Sequence, residues 1–580
     1  MINLRSALRN MGLAAALLLA ACGPAATPPP NSPDPIASAT RPAAPPTAAP
    51  APTRAPAVAV PVQPLGAGLP AGTDGLPWWN DTVFYEIFVR SFQDSDGDGI
   101  GDFNGLISRL DYLNDGDPTT TADLGVTGLW LMPIHPSPSY HGYDVLDYYA
   151  VNPQYGTLDD FRRLLDEAHR RGIRVLIDWV PNHTSSRHPW FQAAQDPASE
   201  YRDWYVWSAD PPTSQGWHRK GTGEFYYGRF WSEMPDLNYA NPAVTEQMRD
   251  VARFWLEDVG VDGFRIDAIK HLYEDGTTVE HVDATFAWLR EFRPFYKGVN
   301  PQALMIGEVW DSSLRVDDYV QGDGLDLAFS FDLAYGFLQS ARSGRAAQAL
   351  LTLEQDLGVF RPGQFAPFLA NHDQNRVMSV LRGNVDQARS AAAMLLTAPG
   401  APFLYYGEEI GMLGEKPDEL IRAPMQWSAE ANAGFTSAAA PWERVNADYA
   451  EKNVAAQTAD PASLLSLYRD LIRLRSTHAA LRVGETYLVE ASRPGLYALV
   501  RASRSEAVLV LINLGQAPVE DYTLDLAAGP LVGAQQLAPL YGGAPAALLE
   551  ASPSGGFADF QPLPEVPAYG IYLWQLQPVR

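Results

Sequence analysis

Cysteine is almost absent from this chain, which has one, Cys22, in 580 residues. A single cysteine excludes disulfides within the chain and zinc sites built on several thiolates, so the fold depends on its core and, at most, a bound metal. Basic residues are also in the minority, since 42 Lys and Arg against 68 Asp and Glu give a formal net charge of −26. Such a surface repels a phosphate backbone, and nucleic acid is therefore not expected as a partner.

Long apolar runs are missing as well, and the run at the N-terminus is short. Residues 11–21 are apolar, follow Arg5 and Arg9, and lead into LAAC at 19–22. A positive start, a brief apolar stretch and small residues are typical of an export signal, and the run is too short for a membrane span. The LAAC ending resembles the lipobox of bacterial lipoproteins, which implies that 1–22 is a signal peptide and that Cys22 becomes the lipidated N-terminus. A plain secretory signal is the alternative.

Residues 23–75 are dominated by Pro, Ala and Thr. This composition buries little apolar surface and favours extended conformations, so we predict a disordered tether. We therefore expect an exported protein at the cell surface or outside the cell, attached to the membrane only through its lipidated N-terminus. We expect a monomer.

From about Trp78 the sequence alternates between apolar strands and amphipathic helical stretches, such as 158–171 and 245–259. This alternation predicts a parallel sheet, and eight strands over roughly 400 residues favour a closed (β/α)8 TIM barrel across 76–477. A doubly wound sheet is the structural alternative. The predicted strands are 83–89, 128–133, 174–180, 263–267, 304–308, 327–331, 365–370 and 403–406.

Two regions depart from this alternation. Residues 183–240 are irregular and rich in Trp and Tyr, which indicates a small inserted domain after the third strand. Residues 478–580 contain short alternating strands, such as 507–513 and 569–575, separated by Gly and Pro. That pattern predicts a C-terminal antiparallel β-sandwich.

Polar residues stand where four of the predicted barrel strands end. The third strand ends DWVPNH at 178–183, the fourth GFRID at 263–267, the fifth GEVW at 307–310 and the seventh ANHD at 370–373. One such aspartate alone is more typical of a helix cap or an ion pair. Together and in this order, the segments resemble the signature regions of glycoside hydrolase family 13, the α-amylase family. The resemblance extends from Trp78 to the end of the chain.

Within that family, the chain most resembles bacterial α-amylases that lie between oligo-1,6-glucosidases and neopullulanases, which carry a signature similar to MPDLN at 234–238. The resemblance implies that Asp267 is the nucleophile, Glu308 the acid/base and Asp373 a carboxylate that helps to distort the sugar ring. It also implies that His183 and His372 bind the sugar. Arg265 lies two residues before Asp267, so on a strand both point to one face, where a guanidinium would keep Asp267 ionised.

Further candidate sugar contacts come from the same resemblance. Tyr143 is expected to stack on the sugar before the cut, and His141 to contact a hydroxyl. A core aromatic is the alternative for Tyr143. Lys270 and His271 resemble a leaving-group subsite. For Arg376, contact with Asp373 or sugar and structural support are both open.

A possible metal loop follows the first predicted strand. Residues 94–102 read DSDGDGIGD, with carboxylates at alternating positions and glycines between them. Hard oxygen ligands on a tight loop suit Ca²⁺, although position twelve of an EF-hand pattern would be Gly105 and not Glu. A solvated acidic turn is the alternative. The expected ligands are Asp94, Asp96, Asp98, the Ile100 carbonyl and Asp102.

The sequence therefore favours an endo-acting α-amylase that hydrolyses α-1,4 bonds of starch and maltooligosaccharides with retention. An exo-α-glucosidase or oligo-1,6-glucosidase, a neopullulanase and a transglycosylase are alternatives within the family. Exo-acting members usually carry Asp three residues before the stacking tyrosine, where this chain has Tyr140. An inactive sugar-binding lipoprotein is a third class, and the presence of Asp267, Glu308 and Asp373 counts against it.

Overall fold

The strands and helices can be followed through most of the chain. The computed structural model describes residues 68–220, 223–543 and 546–579. The predicted signal peptide at 1–22, including Cys22, and residues 23–67 of the predicted tether lie outside the described residues.

Eight of the strands form one parallel sheet. In chain order the strands up to the end of this sheet are β1 (Phe84–Ile87), β2 (Gly128–Leu131), β3 (Arg174–Trp179), β4 (Trp207–Ser208), β5 (Trp217–Lys220), β6 (Glu224–Tyr227), β7 (Gly263–Ile266), β8 (Leu304–Gly307), β9 (Leu327–Phe329), β10 (Phe365–Ala366) and β11 (Phe403–Tyr405). The sheet has the order β10-β9-β8-β7-β3-β2-β1-β11. A parallel bridge between Phe368 and Phe403 joins the two outer strands, so the sheet closes into the predicted barrel.

The seventh barrel strand is shorter than the predicted 365–370. Its ladder with β9 covers only Phe365–Ala366, because Pro367 follows and has no N–H to donate. The Pro367 carbonyl instead accepts from the Phe403 N–H at 2.9 Å. At this point the barrel is therefore closed by isolated backbone contacts between the segments around β10 and β11, and not by a continuous ladder.

The helices alternate with the barrel strands and then continue towards the C-terminal strands. They are α1 (Val89–Phe92), α2 (Phe103–Ser108), α3 (Leu110–Leu113), α4 (Leu158–Arg170), α5 (Pro189–Ala194), α6 (Pro242–Arg253), α7 (Asp283–Val299), α8 (Ser313–Val320), α9 (Phe331–Ser343), α10 (Ala347–Val359), α11 (Val377–Val380), α12 (Val385–Thr397), α13 (Asp418–Ile421), α14 (Val454–Thr458), α15 (Leu464–Thr477) and α16 (Ala479–Val483). Among the described helices, none is both long and apolar enough to cross a membrane.

Local sequence explains where the two helices singled out above begin and end. Thr157 and Asp160 form a reciprocal capping box that starts α4. Helix α6 starts at Pro242, three residues before the predicted start, because Asn241 caps it and proline suits the first turn. Its continuation, Phe254–Val259, widens into a π-helical turn that ends at Gly260, where φ is +95°.

Two smaller β regions complete the fold. Strands β4, β6 and β5 form an antiparallel sheet between β3 and α6, in the predicted inserted region. The C-terminal strands are β12 (Glu485–Leu488), β13 (Glu490–Ala491), β14 (Leu496–Ala502), β15 (Ala507–Asn513), β16 (Val519–Glu520), β17 (Leu524–Leu526), β18 (Ala534–Tyr541), β19 (Leu549–Glu550), β20 (Phe557–Phe560), β21 (Glu565–Val566) and β22 (Ile571–Pro578). They form antiparallel sheets of six, three and two strands around a core of their own, which includes Leu509 and Trp574. The predicted fold class is confirmed.

Candidate active site

The ladder of the barrel brings the predicted catalytic carboxylates together. Asp178 on β3 pairs in register with Arg265 on β7. Asp267 follows β7, and its N–H donates to the Trp179 carbonyl at 2.9 Å. Glu308 follows β8, and its N–H donates to the Ile266 carbonyl at 3.0 Å. Because adjacent parallel strands end at the same side of a barrel, these side chains share one site.

Arg265 lies at the centre of this group. Its Nη1 donates to Asp178 Oδ1 at 2.9 Å and to Asp267 Oδ1 at 2.8 Å, and its Nη2 lies 2.9 Å from Glu308 Oε2. The guanidinium is buried, whereas Asp267 and Glu308 keep a small exposed fraction of their side chains, 12% and 16%. Both predicted catalytic carboxylates are thus held by one rigid group and still reachable from solvent.

Two of the carboxylates around Arg265, Asp267 and Asp178, keep protons more strongly than isolated acids. Burial raises the pKa of Asp267 well above its usual range, and Arg265 opposes this rise while the charges of Glu308 and Asp178 add to it. Burial likewise raises the pKa of Asp178 to about 7 against the opposing effect of Arg265. The group therefore holds a proton near neutral pH, and it titrates as a unit.

A chain of hydrogen bonds runs behind the carboxylates. Burial raises the pKa of Glu86 well above its usual range and lowers that of His372 well below, so the His372 ring is neutral at neutral pH. His372 Nδ1 lies 2.6 Å from Glu86 Oε1, and His372 Nε2 lies 2.6 Å from the Tyr143 hydroxyl. Tyr143 in turn donates to Asp178 at 3.0 Å. The chain fixes the orientation of the His372 ring and the position of the Tyr143 ring.

Asp373 has a different cationic partner from the carboxylates around Arg265. Its Oδ1 accepts from Arg422 Nη2 at 2.8 Å, and its Oδ2 lies 3.3 Å from His372 Nε2. Burial raises the pKa of Asp373, but the charges of His372 and Arg422 outweigh burial and lower the pKa below its usual range. Arg422 is the one of the two that is positively charged at neutral pH, so it keeps Asp373 ionised there. Asp373 is therefore an ionised acceptor with 30% of its side chain exposed.

His183 offers an unused hydrogen-bonding atom. It lies between β3 and the inserted region, bridges to Asp236, and is buried, yet its Nε2 has no partner among the described residues. Burial lowers its pKa to about 3, so the ring is neutral. A buried atom of this kind is costly unless a ligand hydroxyl or water satisfies it. The ring of Phe230 lies 5.4 Å away and covers one side.

Comparison with known proteins agrees with this geometry. A family model described as the α-amylase catalytic domain matches residues 86–484. The chain belongs to the α-amylase family. It is a retaining glycoside hydrolase of the α-amylase type, and the family predicted from the four strand ends is confirmed.

Individual relatives have different activities in their names. α-Amylase 3 of Dictyoglomus thermophilum is 41% identical over 449 residues, which are 76% of this chain and 86% of that protein. Trehalose synthase/amylase TreS of Mycolicibacterium smegmatis is 36% identical over 522 residues, 78% of this chain and 86% of that protein. The crystal structure of α-amylase from H. orenii matches with a TM-score of 0.73 at 41% identity, over 86% of this chain and 99% of that one.

In this α-amylase-family barrel, a cavity of about 380 Å³ opens beside Glu308. Its lining is Phe230, Ala268, Lys270, His271, Glu308 and Trp310. The Lys270 ammonium donates to the Trp310 carbonyl at 3.2 Å and pairs with Glu280 at 3.0 Å. His271 Nδ1 donates to the Val279 carbonyl, 2.8 Å away, and the ring packs edge-on against Phe230. The two predicted leaving-group residues thus line the cavity next to Glu308, the predicted acid/base.

The remaining predicted sugar contacts, His141 and Arg376, have different neighbours. The ring of His141 stacks against Tyr143, with ring centroids 6.1 Å apart, and its Nδ1 accepts from the Tyr143 N–H. Arg376 donates to the carbonyls of Ile421 at 2.8 Å and Tyr406 at 2.6 Å and is buried. The described ion pair to Asp373 comes from Arg422, so these contacts of Arg376 support the backbone, and a contact with sugar stays a prediction.

Sequence reasoning missed several residues that the structure brings to the site. Asp178 and Glu86 are charged residues inside apolar strands, a pattern that could have singled them out. Arg422 lies 49 residues after Asp373 and carries no local signal. Trp310 was quoted only as the last residue of GEVW, and Phe230 lies in the Trp- and Tyr-rich segment 183–240, although each keeps about half of its surface exposed, 48% and 49%.

The predicted metal loop brings three of its carboxylates close together. Oxygen atoms of Asp94, Asp96 and Asp102 all lie within 4.8 Å of one another. Asp94 also accepts from the N–H groups of Gly97 and Gly99, both in the left-handed region with φ of +82° and +93°. Three hard oxygen donors at this spacing fit Ca²⁺. Asp98 is exposed and accepts from the Ile100 N–H at 2.8 Å.

Proposed function

We propose that this glycoside hydrolase is an endo-acting α-amylase that cleaves internal α-1,4 bonds of starch and maltooligosaccharides. The observation that carries the proposal is the cavity beside Glu308, between the half-exposed rings of Phe230 and Trp310. Pyranose rings stack on exposed aromatic faces, so such a cavity suits a glucan chain that continues beyond the leaving group. A small leaving group would make no stacking contact in this cavity.

The opposite end of the site supports the same proposal. Tyr140 stacks on Trp442, with centroids 5.3 Å apart, and Arg422 lies 5.8 Å from its ring. At this position exo-acting relatives usually have an aspartate, which would accept hydrogen bonds from a chain-end sugar. An aromatic ring offers stacking and no such acceptor, which favours a chain that passes through.

We assign a separate role in the reaction to each of these residues. Asp267 attacks the anomeric carbon, and Glu308 protonates the leaving oxygen, so that the glycosidic bond breaks as a glycosyl-enzyme ester forms. Glu308 then takes a proton from water, which attacks the ester and regenerates Asp267. Arg265 orients both carboxylates. Tyr143, His183, His372 and Asp373 would hold the sugar in the cleaved position.

The test is a chromatographic time course of products from maltoheptaose with calcium present, run on the wild type and on Tyr140→Asp. We expect maltose to maltopentaose together at early times from the wild type, and a shift towards glucose in Tyr140→Asp. Tyr140→Phe is the matched control and should keep the mixed pattern. Glucose alone from the start in the wild type would contradict the proposal.

A transglycosylase is the second candidate, favoured by the similarity to a protein named trehalose synthase/amylase. Both activities share the covalent intermediate and differ only in the acceptor, water or a sugar. Products longer than maltoheptaose, or trehalose formed from maltose, would show that the enzyme transfers the glycosyl group to a sugar.

We also propose that the loop of Asp94, Asp96 and Asp102 binds Ca²⁺ as a structural ion. The ion would neutralise carboxylates that otherwise repel each other, and it has no part in bond cleavage.

A further proposal concerns Cys22, which we infer is lipidated and anchors the enzyme to the outer face of a membrane. The LAAC segment at 19–22 supports this. Metabolic labelling with palmitate should mark the wild type and not Cys22→Ala. Equal labelling of both would contradict lipidation at this residue.

A further inference from the structure

Two loops meet beside the cavity, and polar side chains tie them together. One loop joins β7 to α7, and the other joins β8 to α8. From the first loop, Lys270 Nζ donates to the Trp310 carbonyl at 3.2 Å, and His281 Nε2 lies 3.0 Å from Asp311 Oδ2. Side chains of the loop after Asp267 therefore contact Trp310 and Asp311, two consecutive residues of the loop after Glu308.

The His281–Asp311 pair is itself firmly placed. His281 Nδ1 lies 2.9 Å from the Tyr319 hydroxyl, and Asp311 Oδ1 accepts from the Ser312 N–H at 2.7 Å. The His281 side chain is 13% exposed, and its φ of +58° is uncommon for a residue with a side chain. Both partners therefore have one orientation, fixed by Tyr319 on α8 and by Ser312, which caps the same helix.

Trp310 is the residue that these ties immobilise. Its indole stacks on Phe331, with centroids 4.9 Å apart and planes 11° from parallel. The ring nevertheless stays 48% exposed and lines the cavity with Glu308. A flat, half-exposed ring with a fixed backbone on both sides is a preorganised stacking surface.

We propose that the His281–Asp311 pair is a clasp that positions Trp310 to stack on a sugar of the leaving group, and thereby determines the affinity for long glucans. His281 and Asp311 are positioning residues and act only through Trp310. The inference rests on the proposed function, because it needs a glucan on the leaving-group side of Glu308. It adds a specificity determinant that lies outside the group around Arg265.

The experiment compares two substrates that differ in the leaving group. Maltotriosyl fluoride releases fluoride and places no sugar over Trp310, whereas maltoheptaose does. For His281→Ala and Asp311→Asn, we expect the KM for maltoheptaose to rise about threefold to tenfold, the size of one aromatic stacking contact. The kcat for maltoheptaose and the kcat/KM for maltotriosyl fluoride should change little. His281→Gln keeps a donor for Asp311 and should recover part of the loss.

A double-mutant cycle separates the clasp from a general structural effect. In a Trp310→Ala background, His281→Ala should add no further rise in KM. Asp318→Asn removes the exposed Arg315–Asp318 pair on the same helix, α8, and is the matched control. Equal losses on both substrates, or an unchanged effect of His281→Ala in the Trp310→Ala background, would overturn the clasp. The product pattern of the wild type tests the proposed function separately, so the two failures are distinguishable.

Discussion

At the scale of single residues, Arg265 holds the predicted catalytic carboxylates together. One buried guanidinium contacts Asp178, Asp267 and Glu308, and no second cation contacts all three in the described part of the chain. Neighbouring negative charges raise the proton affinity of Asp267 and Asp178, whereas the cation limits that rise. Removing one carboxylate from the group should therefore change the ionisation of the others in a defined direction.

Asp178→Asn tests this coupling. The charge of Asp178 raises the pKa of Asp267, so its removal should lower that pKa, and Arg265 would then act more strongly on Asp267. Asp267 must be ionised to attack, hence the acid limb of kcat/KM should move to lower pH. The measurement is a pH–rate profile, with Asp159→Asn, whose side chain is 90% exposed, as the control. An acid limb that stays in place or moves to higher pH would contradict the coupling.

At the scale of elements, the barrel strands could be predicted from the sequence, whereas the short strands of the inserted region and the Arg422–Asp373 pair could not. Short apolar runs such as 304–308 indicate buried parallel strands, and the residue that ends each run marks the catalytic side of the barrel. Strands β4 to β6 have only two to four residues each, too few to show a period, so only an irregular insertion could be predicted. The Arg422–Asp373 pair depends on how the segment after β11 folds back, which no local pattern encodes.

The metal loop gives an element-scale prediction. If Ca²⁺ binds Asp94, Asp96 and Asp102, the free energy of unfolding should increase by about 2.7 kcal/mol when calcium exceeds its dissociation constant a hundredfold. Thermal unfolding with EDTA and with millimolar calcium measures this gain. Asp96→Asn should abolish this gain, because it removes one of the three carboxylates. The variant should still fold, since Asp96 is exposed and caps no helix. Asp117→Asn, in another exposed acidic turn, is the control, and a calcium response in Asp96→Asn equal to the wild type would exclude the site.

At the scale of the molecule, the barrel and the C-terminal sheets share buried polar contacts. Arg501 on β14 is fully buried and donates to the Thr397 carbonyl at 2.6 Å, at the end of α12, and to the Gly484 carbonyl at 3.0 Å. A buried guanidinium needs such acceptors, because its desolvation is costly. The C-terminal sheets are therefore joined to the catalytic part by specific hydrogen bonds as well as by apolar packing.

Arg501→Ala should weaken this junction without changing the chemistry. Two buried carbonyls would lose their donors, and we expect the free energy of unfolding to fall by about 3 kcal/mol. Chemical denaturation measures the loss, and the KM of the folded variant should match the wild type. Arg504→Ala, a change at an exposed residue three positions further along, should be nearly neutral. Similar stability of the two variants would contradict the role of Arg501.

The central claim is that Asp267 carries the glycosyl group between the two chemical steps. The most direct measurement is intact-mass and peptide mass spectrometry after incubation with a 5-fluoro-α-glycosyl fluoride, which slows hydrolysis of the intermediate. We predict one sugar per chain, attached to the peptide that contains Asp267, and no adduct in Asp267→Asn. An adduct on another residue, or one that persists in Asp267→Asn, would contradict the assignment of the nucleophile.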